Sequence, residues 1–364
     1  MRGESGLYLS VNVLTAMAYS VILPIMSLFL VEGLGIEPGY IGFYTVTTAL
    51  AAIVISQFNG GLADKGVSEK KLMMVALSAL ALGGLSFSVL TEFWQAVLTG
   101  ALFMSVGASS ISMILTMIRG FAERSGKNST RVMAQMRSSV SLLMIVSPSL
   151  AFLSIDYLGF SANFLLSATL AGLALLVTWR YLPDISKANV GSDSESHASS
   201  KMSPVVFYLG GIMLLASMAR MSYMPAMPLY LTQDLGLPVS LPGILIGVGA
   251  ACEVPLMLLA GKLAERYCKT RVIMFSFTCG LAFFVGLQFA SEVWHFVALQ
   301  ILNGAFFGMY VSLAVTLLQD YAPNSIGKAS AMYFNTMSAG SMIGSSLMGI
   351  IAQYYGYKNS FSLG

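Results

Sequence analysis

The opening of this chain returns later in the same sequence, and this internal repeat constrains the fold more than any other feature. Residues of the second copy carry the number of the first copy plus 201, as Pro24 and Pro225 show. The identical positions are Pro24, Leu28, Leu30, Leu34, Gly35 and Gly42, which recur as Pro225, Leu229, Leu231, Leu235, Gly236 and Gly243. The stretch Gly60–Lys65 recurs less strictly as Gly261–Arg266. Both copies lie in strongly apolar surroundings, so we predict two related halves built from the same arrangement of helices.

The apolar stretches are long and frequent enough to predict an all-α, polytopic membrane protein. Hydrophobic residues make up 56% of the chain and charged residues 10%, whereas soluble domains carry about 25% charged residues. Each stretch has about 20 residues, the length of a helix that crosses the hydrocarbon layer of a membrane. We predict eleven spans, at 7–31, 38–60, 71–90, 94–118, 132–154, 160–182, 204–231, 241–263, 271–290, 294–318 and 328–353.

The spans fall into two predicted domains that are joined by a polar, serine-rich segment. Residues 1–183 form the first bundle of six helices, 184–203 form a cytoplasmic linker, and 204–364 form a second bundle with five helices. Because the repeat predicts a sixth helix in the second bundle, we expect twelve spans in all, with the C-terminal span missing from this sequence. A natural protein of eleven spans is the alternative.

The distribution of charge predicts how the chain is oriented. Lysine and arginine concentrate in the loops on one side, for example Lys70, Arg124 and Arg271, whereas the opposite loops carry acidic residues such as Glu32 and Glu292. Basic loops stay in the cytoplasm according to the positive-inside rule. We therefore predict a multi-pass protein of a bacterial cytoplasmic (inner) membrane with a cytoplasmic N-terminus.

Several motifs carry a resemblance to a known family. The loop Gly60-x-Leu62-Ala63-Asp64-Lys65, followed by Lys70-Lys71-Leu72, resembles the signature loop of the major facilitator superfamily. The chain looks most like the sugar efflux transporters within that superfamily, on the stretches Met136-Arg137 with Ser147–Phe152, Met227–Tyr230 with Leu235–Pro238, Glu253–Pro255 with Leu258–Gly261, and Asn303 with Gln319-Asp320, Asn335 and Ile351–Gln353.

The resemblance implies the major facilitator fold, with two pseudo-symmetric bundles of helices. It also implies a secondary active transporter that exports sugars or small glycosides by alternating access, in exchange for protons. Efflux of drugs and other amphiphiles by a transporter of the same superfamily is the alternative. We expect the lipid bilayer, the sugar and protons as partners, no nucleic acid, and a monomer.

Charged residues inside the predicted spans are the first candidates for a functional site. A charge in the hydrocarbon layer costs about 2.5–3.5 kcal/mol on insertion scales, so it survives mainly beside a partner or a watery cavity. Three such residues are present: Arg137, Arg220 and Glu253. Because burial generally favours an uncharged carboxyl group, we predict that Glu253 takes up and releases the coupled proton. We predict that both arginines contact the sugar, and a static ion pair with Glu253 is the alternative.

Uncharged polar residues complete the predicted sugar site. Amides and hydroxyl groups can bind the hydroxyl groups of a sugar, and a buried amide is costly without hydrogen-bond partners. The candidates are Asn12, Tyr19, Asn303, Tyr310 and Asn335. For stripes of small polar residues such as Ser105, Ser109 and Ser112, close packing of helices is the favoured alternative.

Charged residues at the cytoplasmic ends of the helices form a second predicted set. Asp64 and Glu265 each end a predicted span and precede basic residues, so they can cap helices and form ion pairs. The resemblance implies a conformational latch here, made by Asp64, Lys65, Lys71, Arg119, Glu265, Arg266 and Asp320. A role in setting topology alone is the alternative, because exposed ion pairs are weak.

The sequence argues against an enzyme and against a bound cofactor or metal ion. It contains no glycine-rich phosphate loop that ends in Lys-Ser or Lys-Thr, so direct use of ATP is unsupported. Its two histidines, His197 and His295, are predicted to lie in a linker and an outer loop. Its three cysteines show no metal or redox spacing.

Overall fold

The computed structural model describes residues 2–64, 67–125, 129–184, 204–322 and 326–363, and these residues form helices without any strand. The α-helices are α1 (Arg2–Ser20), α2 (Met26–Leu28), α3 (Gly39–Asp64), α4 (Glu69–Phe87), α5 (Phe93–Thr99), α6 (Ser105–Arg124), α7 (Ser129–Tyr181), α8 (Pro204–Leu229), α9 (Ser240–Tyr267), α10 (Lys269–Phe289), α11 (Val293–Asp320), α12 (Ile326–Tyr355) and α13 (Tyr357–Ser360).

Nine stretches of the described residues are long and apolar enough to cross a membrane. Two features account for the difference from the eleven predicted spans. The predicted spans 132–154 and 160–182 both lie in α7, whose backbone leaves the helical conformation at Gly159, with φ 80°. The predicted span 328–353 lies in α12, which is not among the nine. The all-α membrane fold predicted from the sequence is confirmed.

Internal contacts divide the chain into two units. The first, here called the N-terminal unit, consists of Met1–Ile36 and Val46–Gly191. In it, α7 packs against α1 and α4, and α4 packs against α6. The rings of Phe29, Phe87 and Phe164 meet edge to face or stacked, with centroids 4.7 to 5.9 Å apart.

The second unit, here called the C-terminal unit, consists of Glu37–Thr45 and Ser192–Gly364. In it, α8 packs against α12, and α11 packs against both α9 and α10. The predicted linker 184–203 lies outside the described residues except for Asp184.

The internal repeat is visible in the backbone as the same wide turn in both units. A π-helical segment occurs at Phe29–Gly33 and again at Tyr230–Asp234. In each case the N–H after the segment donates to the carbonyl oxygen of its first residue, with N···O distances of 3.0 and 3.1 Å. A left-handed glycine follows two residues after each segment: Gly35 has φ 66° and Gly236 has φ 62°. The repeat predicted from the sequence therefore extends to local backbone geometry.

The positive φ at Gly236 leads to a stability prediction. An added Cβ at Gly236 would have no atom within 4 Å, so Gly236→Ala carries only the backbone cost of a left-handed alanine, about 1–2 kcal/mol. We expect a lower midpoint of thermal unfolding for the purified protein in detergent. The control is Gly211→Ala on α8, where an added Cβ is equally free of contacts but the backbone is helical. Equal midpoints for the two variants would contradict the prediction.

Candidate functional site

The structure brings three of the predicted site residues together in the C-terminal unit. Arg220 lies on α8, Glu253 on α9 and Asn303 on α11. The guanidinium Nη1 of Arg220 donates a hydrogen bond to Oδ1 of Asn303 at 2.9 Å. Its Nη2 lies 3.8 Å from Oε2 of Glu253. Within the described residues, this cluster therefore combines a cation, an anion and an amide inside membrane-length helices.

Two contacts restrain the guanidinium of Arg220 more closely than Glu253 does. One is the hydrogen bond to Asn303, and the other is the ring of Phe307, whose centroid lies 4.0 Å from the Arg220 Cζ. A cation over an aromatic face is attracted by the ring quadrupole. By contrast, 3.8 Å exceeds hydrogen-bond distance. Glu253 is thus attracted to Arg220 as a charge. No hydrogen-bond partner of its oxygens is found among the described residues, so a proton or a hydroxyl group can bind there.

The two charged side chains also differ in how much of their surface is exposed. The side chain of Arg220 is 14% exposed, and that of Glu253 is 26% exposed. The carboxylate is therefore the more accessible member of the pair. Among the described residues, Arg220 is the only charged group found within ion-pair distance of Glu253.

Two residues that the sequence analysis did not single out extend this cluster. Nδ2 of Asn303 donates to Oε1 of Gln300 at 2.9 Å, and Nε2 of Gln300 donates to the hydroxyl oxygen of Tyr223 at 3.0 Å. Gln300 is buried, with 1% of its surface exposed. The available signal was its position three residues before Asn303, which places both amides on one face of α11. A buried glutamine in a membrane-length helix also needs partners.

Glycines on α11 bring this helix close to α9 and so set the position of Glu253. A Cβ added at Gly308 would lie 2.7 Å from the carbonyl oxygen of Glu253, and one added at Gly304 would lie 2.9 Å from Cβ of Cys252. Both distances are shorter than Cβ contacts in real proteins. Small residues spaced by four allow this backbone approach between membrane helices.

Two of the other predicted sugar-binding residues bond to backbone carbonyl groups. In the N-terminal unit, Nδ2 of Asn12 donates to the carbonyl oxygen of Met136 at 3.1 Å. In the C-terminal unit, the hydroxyl of Tyr310 donates to the carbonyl oxygen of Met213 at 3.2 Å, and Tyr310 is fully buried. In the conformation described, both side chains join one helix to another.

The remaining sugar-binding candidates are Tyr19, Asn335 and Arg137. Tyr19 is half-buried on α1, and Asn335 is exposed on α12. Arg137 lies on α7, and its side chain is outside those that the structure describes.

The predicted latch residues are only partly covered by the described residues. Nζ of Lys269 donates to Oδ2 of Asp320 at 2.6 Å in a partly exposed ion pair. Lys71, Glu265 and Arg266 are exposed. Lys65 and the side chains of Asp64 and Arg119 lie outside the described part of the chain.

Lys70 lies in the first turn of α4, and no separate role was predicted for it from the sequence. Its Nζ donates to the carbonyl oxygens of Trp179 and Leu182, at 2.9 and 2.6 Å. The first carbonyl group lies in the last turn of α7 and the second directly follows the helix, where unpaired carbonyl groups attract cations. Lys70 therefore ties the start of α4 to the end of α7 in the N-terminal unit.

Comparison with known proteins adds sequence relatives over almost the whole chain. The family model described as Major Facilitator Superfamily matches residues 8–210 and 209–364. Sugar efflux transporter A of Dickeya chrysanthemi is 30% identical, over 98% of this chain and 91% of that protein. Sugar efflux transporter B of Salmonella typhimurium is 28% identical, over 97% and 90%. The multidrug resistance protein MdtG of Salmonella typhimurium is more distant, with 23% identity over 96% and 88%.

Solved structures with the same fold are also transporters. The nucleoside transporter NupG has a TM-score of 0.80 at 17% identity, over 98% of this chain and 94% of that protein. A POT family transporter in complex with 5-aminolevulinic acid has a TM-score of 0.73 at 14% identity, over 99% and 92%. At these identities the likeness concerns the fold alone.

Proposed function

Since this chain belongs to the Major Facilitator Superfamily, we propose that it exports sugars or small glycosides across a bacterial cytoplasmic membrane by alternating access, in exchange for protons. The observation that carries the proposal is the cluster of Arg220, Asn303 and Glu253 within membrane-length helices. The similarity to proteins named sugar efflux transporters supports the choice of substrate. The basic loops support a cytoplasmic N-terminus.

The polar groups of the cluster suit a sugar because they offer both donors and acceptors. Arg220 has five N–H donors, and only one of them is hydrogen-bonded to Asn303. The oxygens of Glu253 can accept hydrogen bonds from sugar hydroxyl groups. We therefore propose that Arg220, Asn303 and Glu253 contact the sugar from the C-terminal bundle, residues 204–364.

The same carboxyl group provides a physical route to exchange. An ionised Glu253 accepts hydrogen bonds from a sugar and attracts Arg220. A protonated Glu253 loses one acceptor site and most of its attraction for the guanidinium. Sugar and proton thus compete for one group, and competition for one carrier site produces exchange when the site faces each side of the membrane in turn. The exposed charges at the cytoplasmic ends, including Asp320 with Lys269, are proposed to hold one of these states.

Counterflow in proteoliposomes tests the proposed substrate class. The purified protein is reconstituted with a saturating unlabelled compound inside, and entry of the same compound in labelled form is followed for glucosides, galactosides and typical drugs at two pH values. We expect transient accumulation of the sugars above the level in protein-free liposomes. Accumulation of the drugs alone would reject sugar export and favour the multidrug alternative, for which the similarity to MdtG is the specific support.

A further inference from the structure

Gln300 is hydrogen-bonded to Asn303, and this bond determines which atom of the Asn303 amide faces Arg220. We infer that Gln300 is a positioning residue, which orients the amide of Asn303 so that Arg220 is held short of hydrogen-bond contact with Glu253. The inference rests on the proposed role of Glu253 as the proton carrier. It gives Gln300 a role in setting the pH range of export, through Asn303 and without contact with the sugar.

The orientation of the Gln300 amide follows from its neighbours. Its Nε2 lies 3.4 Å from the carbonyl oxygen of Phe296 and 3.0 Å from the hydroxyl oxygen of Tyr223. A backbone carbonyl can only accept a hydrogen bond, so the NH2 group of Gln300 must be at this end. Its oxygen therefore points toward Asn303. Gly249 closes the space beside that oxygen, because a Cβ added there would lie 2.8 Å from it.

The orientation of Asn303 follows in turn. The oxygen of Gln300 accepts from Nδ2 of Asn303 at 2.9 Å, which leaves Oδ1 of Asn303 to face Nη1 of Arg220 at 2.9 Å. If Asn303 were flipped, its NH2 group would face the donors of Arg220, and two oxygens would meet at Gln300. Both contacts would be repulsive, so one arrangement is strongly favoured.

This arrangement keeps a gap between the two charged residues. Arg220 is held between Asn303 and the ring of Phe307, and its Nη2 remains 3.8 Å from Oε2 of Glu253. A hydrogen-bonded ion pair would be about 2.7–2.9 Å long. Because attraction between charges rises as their distance falls, closing the gap would stabilise the ionised form of Glu253. Restraint of Arg220 therefore keeps Glu253 able to bind a proton.

Among the described residues, Arg220 is the charged group nearest to Glu253, and we expect it to have the largest influence on whether Glu253 is ionised. The helices α10 and α11 pack against α9. Near Glu253, α11 presents Gly304 and Gly308. After Arg271, α10 contains a single titratable side chain, Cys279. From α8, the guanidinium of Arg220 faces Glu253 at 3.8 Å, and the hydroxyl group of Tyr223 is hydrogen-bonded to Gln300.

The test is the pH profile of sugar export in inverted vesicles for Gln300→Leu. Loss of the amide removes the acceptor of Nδ2 of the buried Asn303, so Asn303 is free to turn and the restraint on Arg220 is released. We expect the pH of half-maximal export to decrease by about 0.5–1 unit. This is less than the shift of about 1–3 units that a newly introduced opposite charge can cause in a carboxyl group, because Arg220 is already near Glu253. Gln300→Met, which is flexible and similar in volume, should give the same shift if the leucine variant folds poorly.

The matched control is Gln288→Leu on α10. Gln288 is a half-buried glutamine of the same unit, and no hydrogen-bond partner of its Nε2 is found among the described residues. We expect the wild-type profile for Gln288→Leu and a pH-independent rate for the double variant Gln300→Leu/Glu253→Gln.

The outcomes separate the inference from the proposed function. If Glu253→Gln loses its pH dependence while Gln300→Leu and Gln300→Met keep the wild-type midpoint, the positioning role is overturned and the proton role stands. If the shift persists in the double variant, Gln300 acts through another group and the inference is equally overturned. If Glu253→Gln alone keeps the wild-type profile, the proton role fails, and the inference fails with it.

Discussion

Replacement of Glu253 by glutamine is expected to uncouple sugar export from the proton gradient. The amide has nearly the same shape as the carboxyl group but cannot carry a proton. For exchange of one proton per sugar, each pH unit across the membrane is worth about 1.36 kcal/mol, or about a tenfold sugar gradient. In inverted vesicles, Glu253→Gln should lose this factor of about ten per pH unit. Counterflow needs no net proton movement and should continue, but at a lower apparent affinity, because the glutamine amide keeps only one acceptor oxygen for the sugar.

Asp156→Asn is the matched control for this experiment. It also exchanges a carboxylate for an amide, but Asp156 is exposed and lies in the N-terminal unit. Accumulation in this variant should follow the imposed pH difference as in the wild type. Gradient-driven accumulation that survives in Glu253→Gln would assign proton transfer to another residue. Complete loss of counterflow as well as coupling would indicate that sugar binding requires both oxygens of an ionised Glu253.

Gly308→Val is expected to stop transport by separating α9 from α11. The first added carbon would lie 2.7 Å from the carbonyl oxygen of Glu253 and 3.1 Å from its Cγ. The nearer atom belongs to the backbone, so the contact cannot be relieved by rotation of a side chain. Overpacking of this kind typically costs about 1–3 kcal/mol. We expect counterflow to fall more than about tenfold, since a loss of 1.4 kcal/mol in a required arrangement is already about tenfold.

The control for Gly308→Val keeps the same change of residue. Gly211 lies on α8, where an added Cβ meets no atom within 4 Å. Gly211→Val therefore carries the same β-branched cost to a helix without the clash. Thermal unfolding and counterflow should both stay near wild type. Wild-type counterflow in Gly308→Val would show that close approach of the two helices is not required.

The fold could be predicted from the sequence because its main determinants are local. Stretches of about 20 apolar residues satisfy the backbone internally as helices, and the repeat indicated two related halves. The same reasoning applies around Gly159. Length and polarity predict one span on each side of it, and the structure has helical residues on both sides with a break of the helical backbone at this residue.

The candidate site could be predicted only in part. Arg220 and Glu253 stand out because a charge in a membrane helix is costly wherever its partner lies. The roles of Gln300 and Tyr223 depend on a contact between residues 77 positions apart. Periodicity within one helix indicates a face, but it cannot show what that face meets. For the same reason, the sequence could not show that Asn12 and Tyr310 bond to backbone carbonyl groups.

The repeated π-helical turn has a consequence for the ancestry of the chain. Such a turn holds one residue more than an α-helical turn of the same rise, and π-helical turns are rare. The turn occurs at Phe29–Gly33 and at Tyr230–Asp234, and a left-handed glycine follows each copy. If the two halves had no common origin, the same extra residue would have been inserted twice at the same position of the repeat. Duplication of one bundle that already contained this turn accounts for both copies, whereas a third π-helical segment, Gly100–Met104, has no counterpart in α11.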